Sequence, residues 1–102
     1  MANLVFVRYL PKAGQESAVE AALRVMVSKT RAETGNRGYN LYRSTGAHGR
    51  LEYNLIERYA DDSALQAHRE TEHYKAYRAT IVALLEEPIA VTILDALDER
   101  AL

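Results

Sequence analysis

The alternation of hydrophobic and polar positions divides the chain into a series of short strands and helices. Asn3 to Leu10 has the two-residue period of a strand. Leu4, Phe6 and Leu10 point one way with Arg8 among them, and Val5, Val7 and Tyr9 point the other. Both faces are largely apolar, which predicts cover on both sides. Pro11 and Gly14 break the strand. Gln15 to about Glu33 is helical, because Val19, Ala22, Leu23 and Met26 recur at i, i+3, i+4 and i+7. Gly35 and Gly38 punctuate its end, as caps and turns require.

Tyr39 to Thr45 reads as a second strand and Arg50 to Ala60 as a third, joined by the hairpin loop Gly46-Ala-His-Gly49. On the third strand, Leu51, Tyr53, Leu55 and Tyr59 share one face, and Glu52, Asn54, Ile56 and Arg58 share the other. Asp61 or Asp62 is placed to cap a short helix running to about Glu70. Thr71 then caps a second helix, whose stripe is Tyr74, Tyr77, Ile81, Leu84 and Leu85 and which Pro88 stops. Ile89 to Leu97 is the last strand, apolar on both faces apart from Thr92 and Asp95.

The resulting order, β-α-β-β-α-β, predicts one α+β domain over residues 1–102: the ferredoxin-like split βαβ unit, an antiparallel four-stranded sheet with helices on one face. Helices can cover only that face, whereas the first and last strands are apolar on both. A second copy covering the other face, giving a homodimer, is the economical expectation.

Composition narrows the function classes. A chain of 102 residues supports a single small core. Its formal net charge of -1 is spread without a basic block, which argues against a nucleic-acid backbone as partner. The absence of cysteine excludes disulfides, thiolate nucleophiles and Cys-ligated metals, and fits a reducing compartment. No charged lead followed by an apolar run marks a signal peptide, and no stretch has the roughly 20 apolar residues of a membrane helix. A cytoplasmic protein without a membrane partner is expected.

The candidate chemistry is concentrated between Tyr53 and Tyr74. His68 follows Ala64 and Leu65 at i+4 and i+3, which turns it toward the sheet, where an imidazole is either a satisfied core residue or an acid–base group. His73 sits in the first turn of the next helix, where the helix dipole favours a neutral ring. The five-residue spacing of this pair, with a helix break between, does not match a paired metal-ligand motif, and no metal site is expected. His48 lies in the glycine-flanked loop and is expected in solvent. Glu57 shares its strand face with Tyr53, Leu55 and Tyr59, so its carboxylate needs a partner. Arg8 is the expected partner, with a catalytic carboxyl of shifted pKa as the alternative. Seven tyrosines are unusual for this length. Tyr39, Tyr53, Tyr59, Tyr74 and Tyr77 fall on faces that could line the space between sheet and helices, either packing the core or stacking on a flat aromatic ligand.

Several of these segments together resemble one family, the antibiotic biosynthesis monooxygenase domains. Glu33-Thr-Gly35-Asn36 followed by Tyr39-Asn40-Leu41 is similar to their turn into the second strand. Tyr53-x-x-x-Glu57-x-Tyr59-x-Asp61 resembles their third strand. Ala64-Leu65-x-x-His68 and Thr71-Glu-His73-Tyr74 match the run that follows. The resemblance covers nearly the whole chain and looks nearest to small quinol-monooxygenase-like and autoinducer-processing members. It implies a dimeric α/β barrel with two ferredoxin-like units packed sheet to sheet, and oxidation of a phenolic or quinol substrate by O2 without a bound cofactor. The haem-degrading branch is a poor match, because Phe6, Val7 and Arg8 stand where that branch has an Asn, Arg78 stands in place of its haem-ligating His, and Tyr59 in place of its Trp.

On this basis His68, His73 and Tyr59 are the expected catalytic residues. Tyr39, Asn40, Tyr53 and Tyr74 are the expected contacts to a small aromatic or quinone-like substrate. An isomerase or tautomerase that uses the same base without consuming oxygen, and a non-catalytic dimeric ligand-binding module, are the alternatives.

Overall fold

The computed structural model describes residues 3–100. Its strands are β1 (Leu4–Tyr9), β2 (Asn36–Thr45), β3 (Leu51–Tyr59) and β4 (Ala90–Leu94); its helices are α1 (Glu16–Arg31), α2 (Asp62–Arg69) and α3 (Glu72–Ile81). The strands form one antiparallel sheet in the order β2-β3-β1-β4, the ferredoxin-like arrangement expected from the pattern. Among the described residues, no helix is long and apolar enough to cross a membrane.

The boundaries follow local chemistry. Asp61 accepts a hydrogen bond from the amide of Ala64 at 2.8 Å and caps α2, and Thr71 accepts from the amide of Tyr74 at 3.2 Å and caps α3. The two caps bracket α2, and the second marks the break before α3, which puts His68 and His73 on separate helices. The hairpin loop closes with His48 in the left-handed region (φ 61°), exposed to solvent as expected. Gly38 does not end α1. It sits inside β2 beside a register shift, where the strand bulges. Gly35 is fixed by a close approach instead: a Cβ there would collide with the Cβ of Ala64 on α2.

The core lies between the sheet and the helices. Val5, Val7 and Tyr9 of β1, Tyr53, Leu55 and Tyr59 of β3, and Val19, Leu23 and Met26 of α1 are all buried there. Removing one such aliphatic side chain from water is worth about 1.5–3 kcal/mol. The helices stop short of β4. Val91 and Ile93 pair with Val7 and Val5 and so lie on the helix side, yet both remain exposed. Leu94 and Ile56 are exposed on the opposite face, together with half-buried Leu4 and Phe6.

One expected contact is corrected by the register. Arg8 does not pair with Glu57. Glu57 lies opposite Val5 on the helix side, whereas Arg8 shares the outer face with Leu4 and Phe6. Arg8 instead binds Glu52 at 2.9 Å on that outer face. Even- and odd-numbered residues of β1 point to opposite sides of the sheet, so no side-chain rotation could bring the two together.

Candidate functional site

The site is built from the inner face of β1, β2 and β3 and from the helix side of α2 and α3. Val5, Val7, Tyr9, Tyr39, Glu57, Leu65, His68 and Tyr77 form its buried end. Arg69, Tyr74, Arg78, Ile89 and Val91 form its open end. The space between them is about 30 Å³, room for water but not for an aromatic ring without displacement of a side chain. The large phenols account for this. Tyr9, Tyr39 and Tyr59 are fully buried, and the hydroxyls of Tyr9 and Tyr77 hydrogen-bond to each other.

His68 is almost fully buried on α2. Its ring is surrounded by the rings of Tyr74 (centroids 5.1 Å apart), Tyr59 (5.3 Å) and Tyr39 (5.8 Å). Nδ1 lies 2.9 Å from Oε2 of Glu33. Opposite a carboxylate Nδ1 carries the proton and donates it, so the lone pair of the neutral ring is on Nε2. Burial pushes the imidazole pKa below its ordinary value, with the Glu33 carboxylate opposing that shift. The ring is therefore neutral near pH 7, as a base must be.

The same Glu33 oxygen accepts a second hydrogen bond, at 2.6 Å, from Nε2 of His73. The three donor atoms lie within 4.8 Å of one another, a separation that a metal ion could bridge. The present contacts are a complete hydrogen-bonded triad, with one carboxylate oxygen serving two imidazole N–H groups. Among the described residues no fourth side chain of metal-ligating type joins them. His73 does not line the cavity. It is half-buried and borders a shallow surface groove between α1 and α3.

Glu57 is the second titratable group of the buried end. It has no cationic hydrogen-bond partner among the described residues, and its Oε1 accepts from the Tyr59 hydroxyl at 2.7 Å. Burial raises its pKa to about 7; the Tyr59 hydrogen bond and Arg69 oppose the rise. This is the shifted carboxyl that the sequence offered as the alternative to an ion pair. The phenols go the other way. Burial, then the Glu57 carboxylate, pushes Tyr39 and Tyr59 well above the ordinary phenol value. They can donate hydrogen bonds near neutrality but cannot act as bases.

The structure thus brings His68, Tyr39, Tyr59 and Tyr74 together and sets His73 one hydrogen bond behind. Two expected residues stand elsewhere. Asn40 is on the outer face, where its Oδ1 accepts from Arg31 at 3.1 Å and it borders a broad dish of about 730 Å³. Tyr53 lies toward the other end of β3 and donates to Glu20 at 3.0 Å, in an open trough of about 460 Å³ beside α1. Neither hollow contains a histidine. Glu33 is the member of this cluster that sequence reading missed, having entered it only as part of a turn motif.

Residues 4–80 match the family model described as "Antibiotic biosynthesis monooxygenase". The chain is 44% identical over 97 residues to the Mycobacterium tuberculosis protein named "Putative monooxygenase Rv0793", spanning 95% of this chain and 93% of that one. It is 29% identical over 86 residues to "Putative monooxygenase YcnE" of Bacillus subtilis, spanning 84% and 86%. The solved structure of Rv0793 superposes with a TM-score of 0.88 at 45% identity, covering 96% of this chain and 97% of that one. PA3566 of Pseudomonas aeruginosa superposes with a TM-score of 0.81 at 29% identity, covering 96% and 97%.

Proposed function

The chain belongs to the antibiotic biosynthesis monooxygenase family, and from that premise we propose that it oxidises a small phenolic or quinol-type substrate with O2 at the cavity between sheet and helices. The observation that carries this reading is the pairing of Glu33 with Nδ1 of His68 at 2.9 Å, which leaves Nε2 as the free basic atom of a ring bordering that cavity.

Cofactor-independent oxygenation asks little of a protein beyond making the substrate electron-rich. His68 Nε2 takes the phenolic proton, and Glu33 stabilises the imidazolium that results. The phenolate then gives one electron to O2, and the radical pair combines to place a peroxide on the ring carbon. A proton returned to the peroxide lets the O–O bond break, with loss of the ring C–H proton, giving a quinone and water. Glu57, protonated below about pH 7, is the group suited to return that proton or to hold the substrate's second oxygen. Tyr39 and Tyr74 form walls for a flat ring, and exclusion of water preserves the anion. Because the closed cavity is smaller than any such ring, entry requires side chains of the open end to swing outward, Tyr74 and the two arginines first.

The reading includes a homodimer in which two sheets pack face to face as a barrel. It is supported by the exposed apolar residues Ile56 and Leu94 beside Leu4 and Phe6 on the outer face. A cytoplasmic setting accords with the cysteine-free composition.

A second reading is favoured by one observation. His68 and Glu57 are a base and an acid in the same cavity, which is also what a proton-transferring isomerase needs. An oxygen electrode separates the two. With a panel of hydroquinones and naphthols, and without added metal or flavin, the monooxygenase consumes oxygen in step with substrate loss, and the isomerase converts its substrate with no uptake.

A further inference from the structure

The open end of the cavity carries two positive charges that nothing in the catalytic account uses. Arg69 is the last residue of α2, and Arg78 lies in the last turn of α3. Both border the cavity and both are exposed.

Among the described residues they share the lack of a side-chain hydrogen bond or ion pair only with Arg100, which lies near the end of the described chain and borders a different hollow. From Arg8 to Arg58, each arginine is engaged by a carboxylate or a backbone carbonyl. Among the described residues, the side chains of Arg69 and Arg78 make no hydrogen bond and no close ion pair. The acidic neighbour in sequence, Glu70, is held by Gln66 at 3.1 Å. Glu57, the one carboxylate that lines the cavity, is buried and bonded to Tyr59; the charge of Arg69 acts on it at a distance, without a hydrogen bond or close ion pair. Each arginine complements the carbonyl end of its own helix. That accounts neither for both bordering the same cavity nor for their lack of hydrogen-bond partners there.

We propose that Arg69 and Arg78 together bind an acidic substituent of the substrate, a carboxylate or phosphate ester, so that the ring enters the cavity with its anionic group held at the mouth. The inference rests on the cavity's being the substrate site and adds the substrate's class: a hydroxyaromatic acid rather than a neutral quinol. Guanidinium groups suit this role because their planar forks match both anions in two-point geometry. Two like charges beside a low-dielectric cavity also raise the local concentration of anions before contact. The polarity of the site follows: the acidic group stays at the arginines, and the phenolic hydroxyl on the far side of the ring is carried inward toward His68. Moving the two arginines outward with the ligand between them would also widen a space of about 30 Å³.

The test is a binding measurement under anaerobic conditions, so that no turnover is needed. Phenol, 4-hydroxybenzoate and 4-hydroxyphenyl phosphate are titrated into the full chain, with affinity read by calorimetry and by chemical-shift changes at His68. At least one anionic probe is expected to bind tenfold or more tightly than phenol, and the tighter of the two assigns the class. The Arg69→Gln, Arg78→Gln double variant is expected to bring that ratio close to one, whereas Arg24→Gln, a change on α1 beside the separate trough, leaves it intact. Both changed residues are exposed, so the double variant should fold; its circular dichroism and midpoint of unfolding are checked alongside. Equal affinity for phenol and both acids, or a preference that survives the double variant, overturns the inference and leaves the proposed oxidation standing. Binding of no probe at millimolar concentration overturns the inference together with the reading of this cavity as the substrate site.

Discussion

Glu33 and His68 are 35 residues apart in sequence, yet Oε2 of the one lies 2.9 Å from Nδ1 of the other. The contact fixes Nδ1 as the protonated nitrogen of a buried ring that borders the cavity, and leaves the lone pair on Nε2. Removing the carboxylate should therefore harm catalysis more than stability. A general base contributes about 10²–10⁴-fold to rate. His68→Ala is expected to lose that range in kcat/KM, and Glu33→Gln about tenfold to a hundredfold of it. His73→Gln, which leaves the His68 contact in place, should cost less than either. Steady-state kinetics on the three purified variants gives the order directly, and a Glu33→Gln enzyme as active as wild type would deny the carboxylate its orienting role.

Glu57 makes stability depend on pH in a predictable direction. Its folded pKa, about 7, is above the ordinary 4.5. The folded state therefore holds a proton that the unfolded chain releases between those values, and stability attributable to this group is lost as pH rises through about 7. Glu57→Gln removes the charge and keeps an acceptor for the Tyr59 hydroxyl. Urea unfolding should find the variant more stable than wild type at pH 8, by up to about 3 kcal/mol, with the difference vanishing near pH 4. His68, whose pKa is lowered, acts oppositely below its ordinary value, but it is common to both proteins and cancels in the comparison.

The packing of Gly35 on Ala64 holds the start of β2 against α2. A methyl group at position 35 has no room. Gly35→Ala should destabilise by about 1–3 kcal/mol, as overpacking does. The double variant Gly35→Ala, Ala64→Gly should recover part of the loss, which a chemical-denaturation cycle measures.

The proposed dimer predicts a specific sensitivity of the outer sheet face. Wild type should have a solution mass of two chains by light scattering. Ile56→Glu, on that face and 40% exposed in the single chain, should shift it toward one chain. A monomeric wild type would leave Ile56 and Leu94 of the outer face without the proposed cover.

Much of this arrangement is legible in the sequence because its signals are local. The caps at Asp61 and Thr71 act within three residues, and the alternation along β1 and β3 sorts the core directly. Parity alone separates Tyr39 from Asn40, since adjacent strand residues face opposite ways, and it also separates Arg8 from Glu57. Both separations are present in the pattern itself. Tyr53 illustrates a different limit. It shares a face with Tyr59, but six residues of strand carry it roughly 20 Å away, so sharing a face does not mean sharing a site. Glu33 had no local signal. Its partners lie 35 and 40 residues away, and only the packing of α2 and α3 against the end of α1 brings them to it.

The central claim is that His68 starts an oxygen-consuming reaction by removing a phenolic proton. Oxygen uptake, followed at an electrode with a hydroquinone or hydroxynaphthalene substrate and metal-free, flavin-free protein, tests it most directly. The account predicts uptake by wild type at one O2 per quinone formed, reduced at least a hundredfold in His68→Ala, which general-base catalysis requires. Equal uptake by wild type and His68→Ala, or quinone formation with no oxygen consumed, would contradict it.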